Sequence, residues 1–252
     1  MSALIHLDNV SVFGVDTHAR AATLRQFFTR RGRLRPTRIP ILNNITLSAK
    51  PGDRIGIFGM NGSGKSSLLK VISGNYTIHG GTRQVRGAMV PLIEMGAGFE
   101  DELSGRDNIK LSYAYRGKLH LYSPAIEAQI IEFSELAESI DLPLKTYSSG
   151  MRSRLSFASA IFQHPDILLL DEVFAAGDQG FIQKSTEAIR QKIDQSAITI
   201  MVSHSAQEML NICNRFLLMH QGRIVAEGDG NALLEQYNRD ILHISAQQQA
   251  HI

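Results

Sequence analysis

Residues 59–66 read GMNGSGKS and lie between an apolar run, RIGIF, and a stretch with helical apolar spacing, SLLKVISG. No other feature constrains the chain as strongly, because a strand, a glycine-rich loop with Gly-x-x-x-x-Gly-Lys-Ser spacing and a helix together make a phosphate cradle. Gly59, Gly62 and Gly64 let the loop bend with its amides inward, and the following helix adds the positive end of its dipole. Lys65 is expected to reach the β- and γ-phosphates and Ser66 to ligate Mg²⁺, with Asn61, Ser63 and Ser67 completing the cradle.

Other short apolar runs alternate with helix-like stretches, at residues 4–13, 45–49, 54–58, 167–170, 197–202 and 215–219. That alternation predicts an α/β fold, a mainly parallel sheet wrapped by helices, with an antiparallel β piece at the N-terminal edge. Ligands then gather at the carboxyl ends of the strands. Two further runs end in polar clusters. Asp171 and Glu172 follow ILLL, and Ser203 and His204 follow AITIMV. Taken alone, the acidic pair could be solvated residues opening a loop and the histidine a satisfied loop residue. Beside a phosphate loop, Asp171 fits a Mg²⁺ carboxylate, Glu172 the general base that polarises water, and His204 a hydrogen bond to the γ-phosphate.

Between residues 105 and 143 the strand signal disappears, and DNIKLSYAYRGKLH and SPAIEAQIIEFSELAESI read as helices. The expected organisation is therefore a β piece and first half of the core over 1–94, a helical insert over 95–147, a second half of the core over 148–227, and a helix with a frayed tail over 228–252. At 252 residues, with 43% hydrophobic and 20% charged residues, the composition is that of an ordinary globular chain. No apolar run approaches the ~20 residues that span a bilayer, and the N-terminus MSALIHLDNVSVF lacks the pattern of a secretion signal. Net charge is only +2, which gives no steering toward nucleic acid. The charge is uneven, however: seven arginines fall between Arg20 and Arg38 with no acidic residue among them, inside an insert spanning 14–40. A solvated basic loop is one reading; contact with anionic lipid headgroups or with the pyrophosphate of a lipid-linked substrate is the other. Cys213, without a second cysteine, is expected to be a small buried apolar residue.

The segment TYSSGMRSRLSFASAIFQHPDILLLDEVFAAGD places a Ser-Ser-Gly turn and a helix directly before the carboxylate strand. The order of phosphate loop, helical insert, Ser-Gly turn, Asp-Glu strand, Asp178 and strand-end His204 resembles the nucleotide-binding subunits of ABC transporters over about residues 4–230. The resemblance implies a P-loop NTPase core that binds ATP with Mg²⁺ and hydrolyses it. It also implies a homodimer with two composite sites, in which Ser148, Ser149 and Gly150 of one copy face the γ-phosphate held by the other and Asp178 lies across the interface. Phe13 aligns with the aromatic residue on which adenine stacks, a core or edge phenylalanine being the alternative. The glutamine usual at the entry to the helical insert is missing, which leaves Glu94 as the nearest oxygen donor toward Mg²⁺.

The strings GAGFEDELSGRDNI, YSSGMRSRLSFA and LLLDEVFAAGD, with the arginine-containing insert, resemble the branch that exports bacterial surface polysaccharides such as O-antigen, capsule or teichoic acid. That branch implies a multispanning permease as partner, a lipid-linked glycan as transported substrate and a peripheral position at the cytoplasmic face of the bacterial inner membrane. Some members carry a further C-terminal glycan-recognition domain, which this sequence is too short to hold. A soluble ABC ATPase of DNA repair or translation remains the rival. So does a P-loop kinase, although such an enzyme has no use for SSGM before the Asp-Glu strand.

Overall fold

The computed structural model describes residues 2–15, 38–93, 95–171, 179–203 and 205–241. Two sheets organise it. The first is antiparallel, in the order β2-β1-β4, from β1 (Leu4–Val15), β2 (Arg38–Ala49) and β4 (Gly80–Arg86). The second has the order β5-β6-β7-β3-β8-β9, from β3 (Arg54–Phe58), β5 (Met89–Leu92), β6 (Ile167–Asp171), β7 (Ile198–Val202), β8 (Arg215–His220) and β9 (Arg223–Gly228). Its strands are parallel except β9, which runs antiparallel to β8.

Strand alternation divides the core. Ile167 and Leu169 of β6 face a cluster with the antiparallel sheet and helix α1 (Lys65–Ser73), whose Leu68, Leu69, Val71 and Ile72 are buried. Leu168 and Leu170 face the opposite cluster, with Phe157 and Ile161 of α4 (Ser149–Ile161) and Phe181, Ile189 and Ile193 of α5 (Gln179–Gln195). Both faces of the sheet are thus covered, which is why these strands read as unbroken apolar runs. A third cluster joins α2 (Gly105–Tyr115) and α3 (Pro124–Ser134) to the other side of α4 through Ile109, Tyr113, Ile130, Leu155 and Ala158. The helix after the Ser-Ser-Gly turn therefore has two buried faces, one toward the sheet and one toward the helical insert. Ser104 and Ser123 cap α2 and α3 by accepting from the backbone amides of Asp107 and Ile126, and Arg106 of α2 pairs with Glu127 of α3 and, at 2.7 Å, with Asp141 in the segment after α3. Helices α6 (Ala206–Ile212) and α7 (Gly230–Gln236) complete the second layer.

Several sequence expectations change. β1 continues past residue 13 and β2 starts at Arg38, with Val15 paired to Arg38. The basic insert is therefore the connection of a hairpin, narrower than 14–40 at both ends, and residues 16–37 lie outside the described residues. β4, β5 and β9 were not foreseen. GGTRQVR is an exposed edge strand with no apolar run, and MVPL is short and holds Pro91, which an edge strand tolerates. Cys213 is buried as expected, and burial pushes its thiol up to about 12. Among the described residues, no helix is long and apolar enough to cross a membrane.

Candidate functional site

The phosphate loop leaves the carboxyl end of β3 and enters α1 at Lys65. Gly64 occupies the N-cap in a left-handed conformation, and no side chain caps the helix. The first-turn amides of α1 therefore lack the usual side-chain acceptor, and the first turn itself holds no acidic residue, as an anion cradle requires. Lys65 folds over the loop, its Nζ donating to the carbonyl oxygens of Gly59 at 2.7 Å and Met60 at 3.0 Å. Gly59 cannot be replaced without disturbance: a Cβ there would stand 2.4 Å from the carbonyl oxygen of Met219 and 2.6 Å from Ser63 Oγ. That Ser63 hydroxyl is buried without a hydrogen-bond partner among the described residues.

A cleft of about 880 Å³ opens over the loop, lined by Asn61, Gly62, Gly64, Lys65, Ser66 and Ser67 on one side. Pro40, Ile41 and Asn43 of β2 and residues 220–223 of the β8–β9 hairpin form the other wall. Sequence reasoning missed the hairpin. Its turn residue Gly222 donates to the Ser63 carbonyl oxygen at 2.9 Å, and its own carbonyl oxygen accepts from the Asn43 amide at 2.8 Å. A Cβ at Gly222 would meet the Ile41 carbonyl oxygen at 2.4 Å. Only the glycine in HQGR hinted at this clasp.

The strand order sets the remaining groups. β7 lies between β3 and β6, so Asp171, the last residue of β6 and register partner of Val202, stands beside Ser203, on the same edge of the sheet as the phosphate loop. Ser203 accepts from the Ser205 amide at 3.1 Å, and burial raises the Glu208 carboxyl. Glu94, Glu172, Asp178 and His204 lie outside the described residues.

Two expected groups are not among the residues that line this cleft. The ring of Phe13 packs edge-on against His79 at 5.7 Å, and the Phe13 amide donates to His79 Nδ1 at 3.3 Å. A Cβ at the next residue, Gly14, would meet the cleft-lining Ile41 at 3.1 Å. Phe13 itself is not among the residues that line the cleft, although its register partner Pro40 is. The second absent group is the signature turn. Ser148 caps α4 by accepting from the Met151 amide at 3.2 Å, while Ser148 and Ser149 are exposed and Gly150 is half-buried, none of them lining the cleft. No acidic residue occupies the first turn of α4, so an uncompensated helix N-terminus faces outward.

A mainly parallel sheet that carries a phosphate loop at the carboxyl end of an inner strand and a helical insert before the next carboxylate strand defines a P-loop nucleotide-binding domain. Residues 42–175, more than half of the chain, match the family model described as ABC transporter, and the chain belongs to that family. It is 41% identical over 202 residues to the teichoic acids export ATP-binding protein TagH of Enterococcus faecalis, covering 80% of this chain and 45% of that one. It is 36% identical to the O-antigen export system ATP-binding protein RfbB of Myxococcus xanthus, over 99% of this chain and 59% of that one. With the O-antigen export system ATP-binding protein RfbE of Yersinia enterocolitica it shares 37% identity over 75% of this chain and 79% of that one. The chain thus spans about half the length of the first two relatives. Its fold matches the ATP-binding subunit of an ABC transporter with a TM-score of 0.67 at 18% identity, covering 93% of both chains. A dimeric ATP-binding cassette in a post-hydrolysis state, bound to ADP and Pi, matches with a TM-score of 0.66 at 18% identity, over 89% of this chain and 98% of that one.

Proposed function

We propose that this chain is the ATP-hydrolysing subunit of an exporter that moves a lipid-linked polysaccharide, of the O-antigen, capsule or teichoic acid kind, through a separate multispanning permease at the cytoplasmic face of the membrane. The observation that carries the reading is the pairing of an uncapped phosphate loop in a large cleft with an outward-facing signature turn that does not reach it. Each half is an anion site, and a second copy supplies the missing half. The export relatives named above support the polysaccharide.

In this reading ATP enters the cleft with its phosphates on the amides of residues 61–67, and Lys65 exchanges its loop carbonyls for phosphate oxygens. Ser66 and Asp171 would hold Mg²⁺, with Glu94 as a further oxygen donor. Bound there, the ion shields phosphate charge. Glu172 takes the proton of the attacking water, and His204 orients that water against the γ-phosphate. Ser149 and the N-terminus of α4 from the partner copy stabilise the charge that develops on the leaving phosphoryl group.

The test is complementation. Cells lacking the gene receive the chain or its Lys65→Ala variant, and surface polysaccharide and cytoplasmic lipid-linked glycan are quantified. Restoration by the parent alone, with internal glycan accumulating under the variant, is the expected result. Normal surface polysaccharide in the deleted strain contradicts the proposal.

A further inference from the structure

Three helices meet at Phe133, near the carboxyl end of α3. Its ring stacks on Phe157 of α4 with centroids 6.0 Å apart and packs edge-on against Phe181 of α5 at 5.7 Å, while Phe157 and Phe181 meet edge-on at 5.9 Å. Charged groups join the same three helices. Lys184 of α5 lies over the Phe133 ring, 4.7 Å from its centroid, and donates to the Phe133 carbonyl oxygen at 3.0 Å and to Glu135 Oε1 at 2.8 Å. The other carboxylate oxygen of Glu135 accepts from Arg154 of α4 at 3.5 Å. One carboxylate therefore bridges the helix that begins at the Ser-Ser-Gly turn and the helix that follows Asp178 in the chain.

Glu135 caps α3 at a φ of 59°, in the left-handed region where glycine is relaxed and glutamate is strained. All three charged side chains are partly exposed, so their pairing adds little to global stability. A glycine would suit the backbone better and forfeit little. What the carboxylate adds is the setting of α4 against α5, because it draws Arg154 and Lys184 to its two oxygens. Without it, two like charges on neighbouring helices repel.

We propose that Glu135 is a positioning residue for the composite site: by holding α4 against α5 it sets the Ser-Ser-Gly turn in the orientation that meets the nucleotide of a second copy. It acts through the turn, so its loss damages the partner's site and spares the site in its own copy. The inference rests on the reading of an active site shared between two copies.

The test places the defect in one copy of a heterodimer isolated by two affinity tags. A Glu135→Gln chain paired with a Lys65→Ala chain keeps one working site, with the cradle of the first and the turn of the second. Its ATP hydrolysis should match that of a parent chain paired with Lys65→Ala. A parent chain paired with a chain carrying both Glu135→Gln and Lys65→Ala should turn over about threefold to tenfold more slowly, in kcat rather than KM, because its one working site borrows the displaced turn. Glu135→Gly, which relaxes the backbone, should give the same contrast with no loss of melting temperature, which separates positioning from misfolding. Equal rates in the two arrangements overturn the proposal, as does a Glu135→Gly contrast that is absent. Ser149→Arg put through the same two arrangements is the control. If it too shows no difference between them, the shared-site reading fails; if it alone shows one, only the role of Glu135 does.

Discussion

The backbone amide of Gly222 donates to the carbonyl oxygen of Ser63 at 2.9 Å, so the turn of the β8–β9 hairpin is fastened to the middle of the phosphate loop. Through its own carbonyl oxygen the same residue holds the Asn43 amide of β2. One glycine thus joins the two sheets at the wall of the nucleotide cleft. Gly222→Ala must find room for a Cβ 2.4 Å from the Ile41 carbonyl oxygen at a φ of 73°. The expected outcome is a loss on the order of 1–3 kcal/mol of stability and weaker ATP binding, read by thermal unfolding and nucleotide titration. Unchanged values in both would show that the clasp does not shape the loop.

Phe13→Ala removes the edge-on pair with His79 and should lower stability by about 0.5–1.5 kcal/mol, read by thermal unfolding. A tenfold loss of ATP affinity with unchanged melting would instead assign the ring to adenine stacking.

The Cys213 thiol, pushed up to about 12 by burial, stays protonated at pH 8 in the folded chain and should resist alkylation until the protein unfolds. Because the folded thiol titrates above its ordinary value, the stability that its neutral form contributes is fully present below that value and declines as pH rises past it. Maleimide labelling with and without denaturant checks this; equal rates would contradict the burial.

The strands that form the centre of the fold were legible because they are buried on both faces and therefore unbroken in sequence, as in RIGIF, ILLLD and ITIMV. The phosphate loop was legible because its chemistry demands particular residues at fixed spacing. The edge strand GGTRQVR was not, since its hydrogen bonds to β1 leave no apolar signature. Which residues of β1 share a face was hidden for another reason: register irregularities between Leu7 and Phe13 defeat a count by twos. The Gly222 clasp was hidden because its partners are 159 and 179 positions away (222 − 63 and 222 − 43).

Glu172→Gln should bind ATP, stop turnover and accumulate as a nucleotide-bound dimer, because the amide keeps the shape of the side chain and loses the base. General-base catalysis contributes roughly a hundredfold or more, so a residual rate above about a tenth of the parent would remove Glu172 from that role.

The composite site is tested most directly by mixing. A Ser149→Arg chain blocks the turn it lends to its partner, and a Lys65→Ala chain disables its own cradle, so a heterodimer of the two carries one doubly damaged site and one intact site. With heterodimer formation demonstrated by two affinity tags, ATP hydrolysis by the mixture should rise well above either variant alone, toward half of the parent rate per dimer. A mixture no more active than the separate variants would contradict an active site shared between two copies of this chain.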